Sequence, residues 1–287
     1  MLFRSYKSNV MSPSTIRGYT SLRKNHYSGF ENLSVDDLTE DMVQKYVNKL
    51  AVTLSPKSVK NIYTLLCSAV KPYIRFSNIK LPQKIKTAIQ IPTDEMVIKC
   101  LEASEGTELH TAILLAAYLG LRRSEICALT KDDINKRART LSINKAVVLN
   151  TDMERIVKPP KSFAGNRTLT VPAFLFEELV KVKHDKLVDL DIVQITAQFE
   201  RLTKKLGYSF RFHDLRHYNA SVMLSLNIPN KYAQERMGHA TDNMLKNVYQ
   251  HTISKKQVDV SNTINTYFEN VFSTSDNKKD NKNSDLP

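Results

Sequence analysis

Two histidines and an arginine, His213, Arg216 and His217, stand within the five-residue run HDLRH, and His239 and Tyr249 follow downstream. Imidazoles and guanidiniums donate hydrogen bonds to phosphate oxygens, and a phenol can serve as a covalent nucleophile. Together these groups can hold a phosphodiester and attack it without a metal. His213 and Arg216 lie three apart, which on a helix puts both on one face, able to address a single phosphate. His239 and Tyr249 lie ten apart, close to three helical turns, so a short helix, a turn and a second helix can bring both to one site. Upstream, Arg122 follows Gly120 and Leu121 at the end of the apolar run TAILLAAYLGL. A guanidinium leaving a hydrophobic helix end is costly unless it meets an anion, so Arg122 and Arg216 are candidates to clamp one phosphate.

Other chemistries fit these residues less well. His213 and His217, four apart, have the spacing of two zinc ligands, but the glutamate of an HExxH site is missing and Arg216 would be repelled by a dication; no metal and no other cofactor is expected. His217 reads as a supporting donor or a core histidine. Glu125 and Asp133 read as carboxylates that buttress arginines or cap helices, and Arg123 as a surface or DNA contact.

A largely helical chain must carry these groups. At 287 residues and 41% apolar composition it can bury one or two cores, and the length suggests two domains. Residues 1–88 read as helical. Ser12-Pro13 and Ser55-Pro56 are helix starts, and Leu38, Val43, Tyr46, Val47 and Leu50 repeat at helical spacing. In the helix after Pro56, Val59, Ile62, Leu65, Leu66 and Val70 face inward and leave Lys57 and Lys60 outside. Lys80, Lys84 and Lys86 lie in a basic, proline-flanked linker. Residues 89–272 read as mostly helical with one small sheet from TLSI, KAVVL and RTLTVP, followed by helices in VPAFLFEELVKVKHDKL, DIVQITAQFERLTKKLG and HDLRHYNASVMLSLN. Residues 273–287 are polar and expected to be disordered.

The net charge of +13 favours a polyanionic partner, and +9 of it lies in residues 1–90, which hold 14 Lys/Arg against 5 Asp/Glu. The three cysteines, Cys67, Cys100 and Cys127, are unclustered, and no signal peptide or long apolar span is evident; the reading is a reducing, cytoplasmic compartment with no membrane association. Cys67 and Cys127 sit in apolar helical patterns and are expected in cores.

The order Gly-Leu-Arg-x-Ser-Glu (Gly120–Glu125), His-x-Leu-Arg-His (His213–His217), Gly238-His239 and Tyr249 ten residues later resembles the tyrosine recombinases, the phage integrase family. PPKSFAGNRTLTVP, residues 159–172, resembles that family's β-hairpin, with Lys161 as its lysine and RTLTVP as the returning strand. The resemblance spans roughly residues 10–270. It implies a mainly α fold: a helical core-binding (SAM-like) domain at 1–88, then an α-rich catalytic domain with a small antiparallel β-sheet at 89–272, the DNA breaking-rejoining fold. The first domain and its linker would form a C-shaped clamp on double-stranded DNA, with Lys57, Lys60, Lys80, Lys84 and Arg123 as contact candidates.

The catalytic set implied is Arg122, Lys161, His213, Arg216, His239 and the nucleophile Tyr249, supported by Glu125 and His217. Tyr232 and Tyr267 lack the ten-residue spacing from Gly-His, and His251 reads as a local hydrogen-bonding residue. The chemistry is a site-specific DNA recombination through a 3′-phosphotyrosine, independent of metal and ATP. It would be carried out by a homotetramer on two duplexes near the nucleoid, with accessory DNA-bending or directionality proteins. Integration and excision of a phage or mobile element is the leading reading. A chromosome-dimer-resolving recombinase, a type IB topoisomerase-like enzyme and an inactive DNA-binding regulator are the alternatives. The chain begins at residues resembling the core-binding domain, so an arm-binding domain is either lost or was never present. Residues 252–272 form a partly apolar helix expected to dock on a neighbouring protomer or on its own domain.

Overall fold

The computed structural model describes residues 11–84, 90–160 and 163–238, together with position 266. Lys161, His239, Tyr249, the 252–272 segment and the polar tail lie outside the described residues, apart from that one position. Two compact units are present: Met1–Thr87 with Val147–Lys158, and Ala88–Ala146 with Pro159–Pro287.

In the first unit α1 (Pro13–His26), α2 (Glu40–Thr53) and α3 (Pro56–Val70) follow the local signals. Pro13 and Pro56 occupy first-turn positions, where a missing N–H costs no helical hydrogen bond. The Thr39 and Ser55 hydroxyls accept from the amides of Met42 (3.3 Å) and Ser58 (3.2 Å), satisfying donors that a helix start leaves open. Val43, Val47 and Leu50 of α2 share a buried cluster with Val59, Ile62, Leu65, Leu66 and Val70 of α3. Each such side chain stabilises the fold by roughly 1.5–3 kcal/mol. Lys57, Lys60, Lys80 and Lys84 are all exposed, and Cys67 is only half-buried, outside the core expected for it.

In the second unit α4 (Asp94–Glu102), α5 (Glu108–Leu119), α6 (Arg123–Ile126), α7 (Ala173–Lys181), α8 (Ile192–Lys205), α9 (Asp214–Ser225) and α10 (Asn230–Met237) surround a small sheet. Eight of the twelve residues of α5 are buried, and a helix apolar all round belongs at the centre of its unit. Phe199 of α8 packs edge-on against Phe210 and Phe212, which set the approach to α9.

The strands depart from the sequence reading. β1 (Ile134–Asn135), β2 (Thr140–Ile143) and β5 (Arg167–Thr170) form an antiparallel sheet in the order β1-β2-β5. β3 (Ala146–Leu149) and β4 (Arg155–Lys158) form a separate two-stranded sheet. RTLTVP is therefore not the return strand of a hairpin across Lys161. β5 returns to β2, pairing Leu141 with Leu169 and Ile143 with Arg167, a register that buries Leu141, Ile143 and Leu169 together. Asn150 closes the β3–β4 turn by accepting from the amides of Asp152 (2.9 Å) and Glu154 (2.8 Å). The helix expected through residue 187 ends at Lys181. Beyond it the backbone pairs with the 129–131 segment, Leu187 N donating to Leu129 O (3.0 Å), because this buries Leu187 and Val188. Among the described residues no helix is long and apolar enough to cross a membrane.

Candidate active site

The second unit gathers charge where three helix ends meet. α5 stops at Leu119 because Gly120 turns left-handed (φ 67°). A Cβ there would lie 2.6 Å from Met237 Sδ and 2.8 Å from Asn219 Oδ1, so conformation and space both demand glycine. The turn delivers Arg122 to the start of α6. Glu125, three residues on, accepts from the Arg122 amide (2.9 Å) and from its Nη1 (2.6 Å). The anion required by a guanidinium at an apolar helix end is thus Glu125, whose side chain is only 5% exposed.

His213 occupies the cap position before α9 rather than a turn of the helix itself. Two residues upstream, the Arg211 amide donates to Asp214 (2.7 Å), fixing the approach to the helix. Arg216 on the first turn is 1% exposed, and its two terminal nitrogens donate to the carbonyls of Gly120 and Met237. Asn219, one turn on, donates to the carbonyls of Ala117 (2.9 Å) and Tyr118 (3.0 Å). α9 therefore ties down the carbonyl end of α5 with side chains rather than with apolar packing alone.

α10 ends at Gly238, again left-handed (φ 61°). Three successive carbonyls at this terminus each receive a different arginine. Arg167 Nε donates to Arg236 O (2.8 Å), Arg216 to Met237 O, and Arg122 Nη2 to Gly238 O (3.0 Å). The partial negative charge of a helix C-terminus favours cations there. Gly238 immediately precedes His239.

Arg167 is the residue the sequence reading missed. It reaches the site from β5, its Nη2 and Nη1 lying 2.9 and 3.3 Å from the two carboxylate oxygens of Glu125. The only sequence signal was its place at the head of RTLTVP. Asn219 was also missed, lying three residues past Arg216 on the same helix.

These contacts set the protonation states. Burial pushes the Glu125 carboxyl upward, but the hydrogen bond and charge of Arg167, with the charge of Arg122, outweigh it and hold it at about 2. Loss of hydration, then the neighbouring His217 and Arg216, push the His213 pKa down to about 4 although the residue keeps an exposed surface, and the imidazole is neutral at neutral pH. His217 is lowered by burial, with Arg216 and Arg211 acting the same way against Asp214, and its ring meets that of His213 edge-on at 5.2 Å. Burial and the repulsion of Arg122 disfavour the Arg216 charge and Glu125 opposes them; a guanidinium keeps its proton even so.

The structure thus brings Arg122, Glu125, His213, Arg216 and His217 together. Arg123, next in sequence, is half-buried and turns away, its Nη1 donating to Thr196 of α8. Asp133 accepts from Thr130 and pairs with Lys145 (2.9 Å), capping a turn without touching an arginine. Among the described residues no cluster of three or more His, Cys, Asp or Glu side chains could hold a metal.

Residues 90–256 match the Phage integrase family, and the chain belongs to it. A tyrosine recombinase XerC-like protein of Caldanaerobacter subterraneus subsp. tengcongensis is 24% identical, the match covering 89% of this chain and 78% of that protein. Among solved structures, the Tn1549 transposon integrase in complex with transposon right end DNA superposes with a TM-score of 0.72 at 17% identity, covering 90% of this chain and 96% of that one. A lambda integrase tetramer bound to a Holliday junction gives 0.64 at 20% identity, over 85% and 74%. The fold is that of the tyrosine integrases.

Proposed function

We propose that this chain recombines double-stranded DNA at specific sites by transesterification through Tyr249, and that its reaction is the integration and excision of a mobile element. The phenolic oxygen of Tyr249 attacks the scissile phosphorus as the bond to the 5′-oxygen breaks, leaving a 3′-phosphotyrosine and a 5′-hydroxyl. The phenol's proton passes to His213, whose neutral imidazole suits an acceptor, and Lys161 supplies the proton that the leaving oxygen needs. Arg122 and Arg216, with His239, donate to the non-bridging oxygens where charge grows. Attack by a second strand's 5′-hydroxyl reverses the step, and because the phosphotyrosine conserves the ester bond, no ATP is consumed. Glu125 and His217 orient these groups. Lys57, Lys60, Lys80 and Lys84 contact the duplex backbone from the first unit, a helical core-binding domain.

The observation that carries this reading is the meeting of Arg122, His213 and Arg216 at the chain position that leads into His239. Four protomers on two duplexes are proposed from the lambda integrase tetramer, with accessory DNA-bending or directionality proteins and a nucleoid location as the finer expectations. The likeness to a bacterial tyrosine recombinase favours a second reading, resolution of chromosome dimers. Short direct repeats flanking the coding region would indicate the mobile element instead.

The test is a nicked suicide duplex that loses its 5′-hydroxyl after cleavage. The full chain should form a covalent protein–DNA adduct without metal or ATP, and Tyr249→Phe none. An adduct that survives Tyr249→Phe removes the nucleophile assignment.

A further inference from the structure

We infer that Arg167 is a positioning residue of the cleavage step, which neutralises Glu125 so that Arg122 can serve the scissile phosphate and which anchors the end of α10 ahead of His239. The inference rests on the recombinase reading above. Glu125 would otherwise be a trap. Its carboxylate lies 2.6 Å from Arg122 Nη1, close enough to hold that guanidinium against any incoming anion. Arg167 divides this attraction. It faces both carboxylate oxygens at 2.9 and 3.3 Å with a side chain only 6% exposed, so the negative charge is shared between two cations in a site that excludes most water.

The remaining Arg167 contacts fix the geometry. Nε holds the Arg236 carbonyl at 2.8 Å and Nη1 holds the Gly165 carbonyl at 3.2 Å. One planar group thus joins the short 3-10 turn Phe163–Gly165, the end of α10 that precedes His239, and the carboxylate beneath Arg122. A Cβ on Gly238 would come within 2.6 Å of Arg167 Nη1, so the backbone there is shaped around this guanidinium. The pairing of Arg167 with Ile143 across β5 and β2 keeps its base rigid. Arg167 has no direct part in bond making.

The decisive experiment measures single-turnover adduct formation at saturating suicide duplex, and duplex affinity separately, on the full chain. Arg167→Gln should slow cleavage at least roughly tenfold with DNA affinity within about twofold of wild type. Removing the trapped charge as well, in Arg167→Gln/Glu125→Gln, should recover at least about threefold of that loss, a non-additivity that independent roles would not give. Unchanged cleavage, a double variant no faster than the single, or a loss confined to DNA affinity would each overturn the inference. If Arg167→Gln fails to fold, Arg167→Lys carries the test, since it keeps the charge and loses the two-pronged geometry. Slower cleavage at saturating DNA then supports the role and wild-type cleavage rejects it. Absence of an adduct from wild type would instead count against the recombinase reading itself.

Discussion

The two units handle charge in opposite ways. In the first, no charged side chain is buried among the described residues. Val43, Val47, Val59 and Ile62 fill the core and Lys57, Lys60, Lys80 and Lys84 stand in solvent. In the second, the charged Glu125, Asp214 and Arg216 are all below 9% exposed beside the polar His217 and Asn219, and Arg216 is among the most deeply buried large side chains described. Burying charge costs several kcal/mol per ion unless it is paired and hydrogen-bonded, so a fold that does so repeatedly in one place gains something other than stability there. Surface lysines give a screened field that attracts a polyanion. Buried arginines with fixed carbonyl and carboxylate partners give a direction, which a single phosphate requires.

The largest effect should come from the buried side of this contrast. Arg216→Ala is expected to slow adduct formation by roughly 100- to 1000-fold, as for loss of one preorganised donor, at unchanged DNA affinity. It should also lower unfolding stability by roughly 1–3 kcal/mol in denaturant titration, because the Gly120 and Met237 carbonyls lose a buried donor. Near-wild-type cleavage would erase the distinction between the units.

Gly120→Ala comes next. It strains a left-handed residue and drives a methyl into Met237, and should cost roughly 1–3 kcal/mol with cleavage reduced through displacement of Arg122. In the first unit, Lys57→Ala/Lys60→Ala should weaken binding to all duplexes alike and reduce the slope of log affinity against log salt by about 2, leaving cleavage at saturating DNA unchanged. A cleavage defect at saturation would move these lysines from the field to the site.

The smallest effect is on pH. His213 and His217 titrate lower when folded than the ordinary 6.5, so the unfolded chain takes up protons first and stability falls as pH drops from about 6.5 toward 4. Glu125, held at about 2, extends the decline below 4.5, where unfolded carboxylates protonate. Melting temperatures should fall through this window, and a flat profile from pH 7 to 5 would contradict the lowered imidazoles of His213 and His217.

What was legible in the sequence was local. Ser-Pro starts marked α1 and α3, apolar residues at helical spacing marked α2, the apolar run up to Leu121 marked α5 as a hydrophobic helix, and a guanidinium after Gly120-Leu121 announced a need for an anion. What escaped was non-local. Glu125 meets Arg167 across 42 residues, and nothing in spacing identifies such a partner. The same limit hid the pairing of β5 with β2, since alternating β-branched residues reveal a strand but not its neighbour, and the early end of α7, whose apolar continuation was drawn off to pair with residues 129–131. His239, Tyr249 and Lys161 were read from motif order and remain proposals of chemistry.

One measurement bears most directly on whether the buried guanidiniums act on the phosphate. A suicide duplex carrying a methylphosphonate at the scissile position has a single, uncharged centre in place of the anionic ester. Arg216→Ala, strongly impaired on the normal phosphate, should regain at least roughly tenfold in adduct formation on this substrate relative to wild type, because the charge it fails to neutralise is gone. An equal defect on both substrates would mean that Arg216 only braces helix ends.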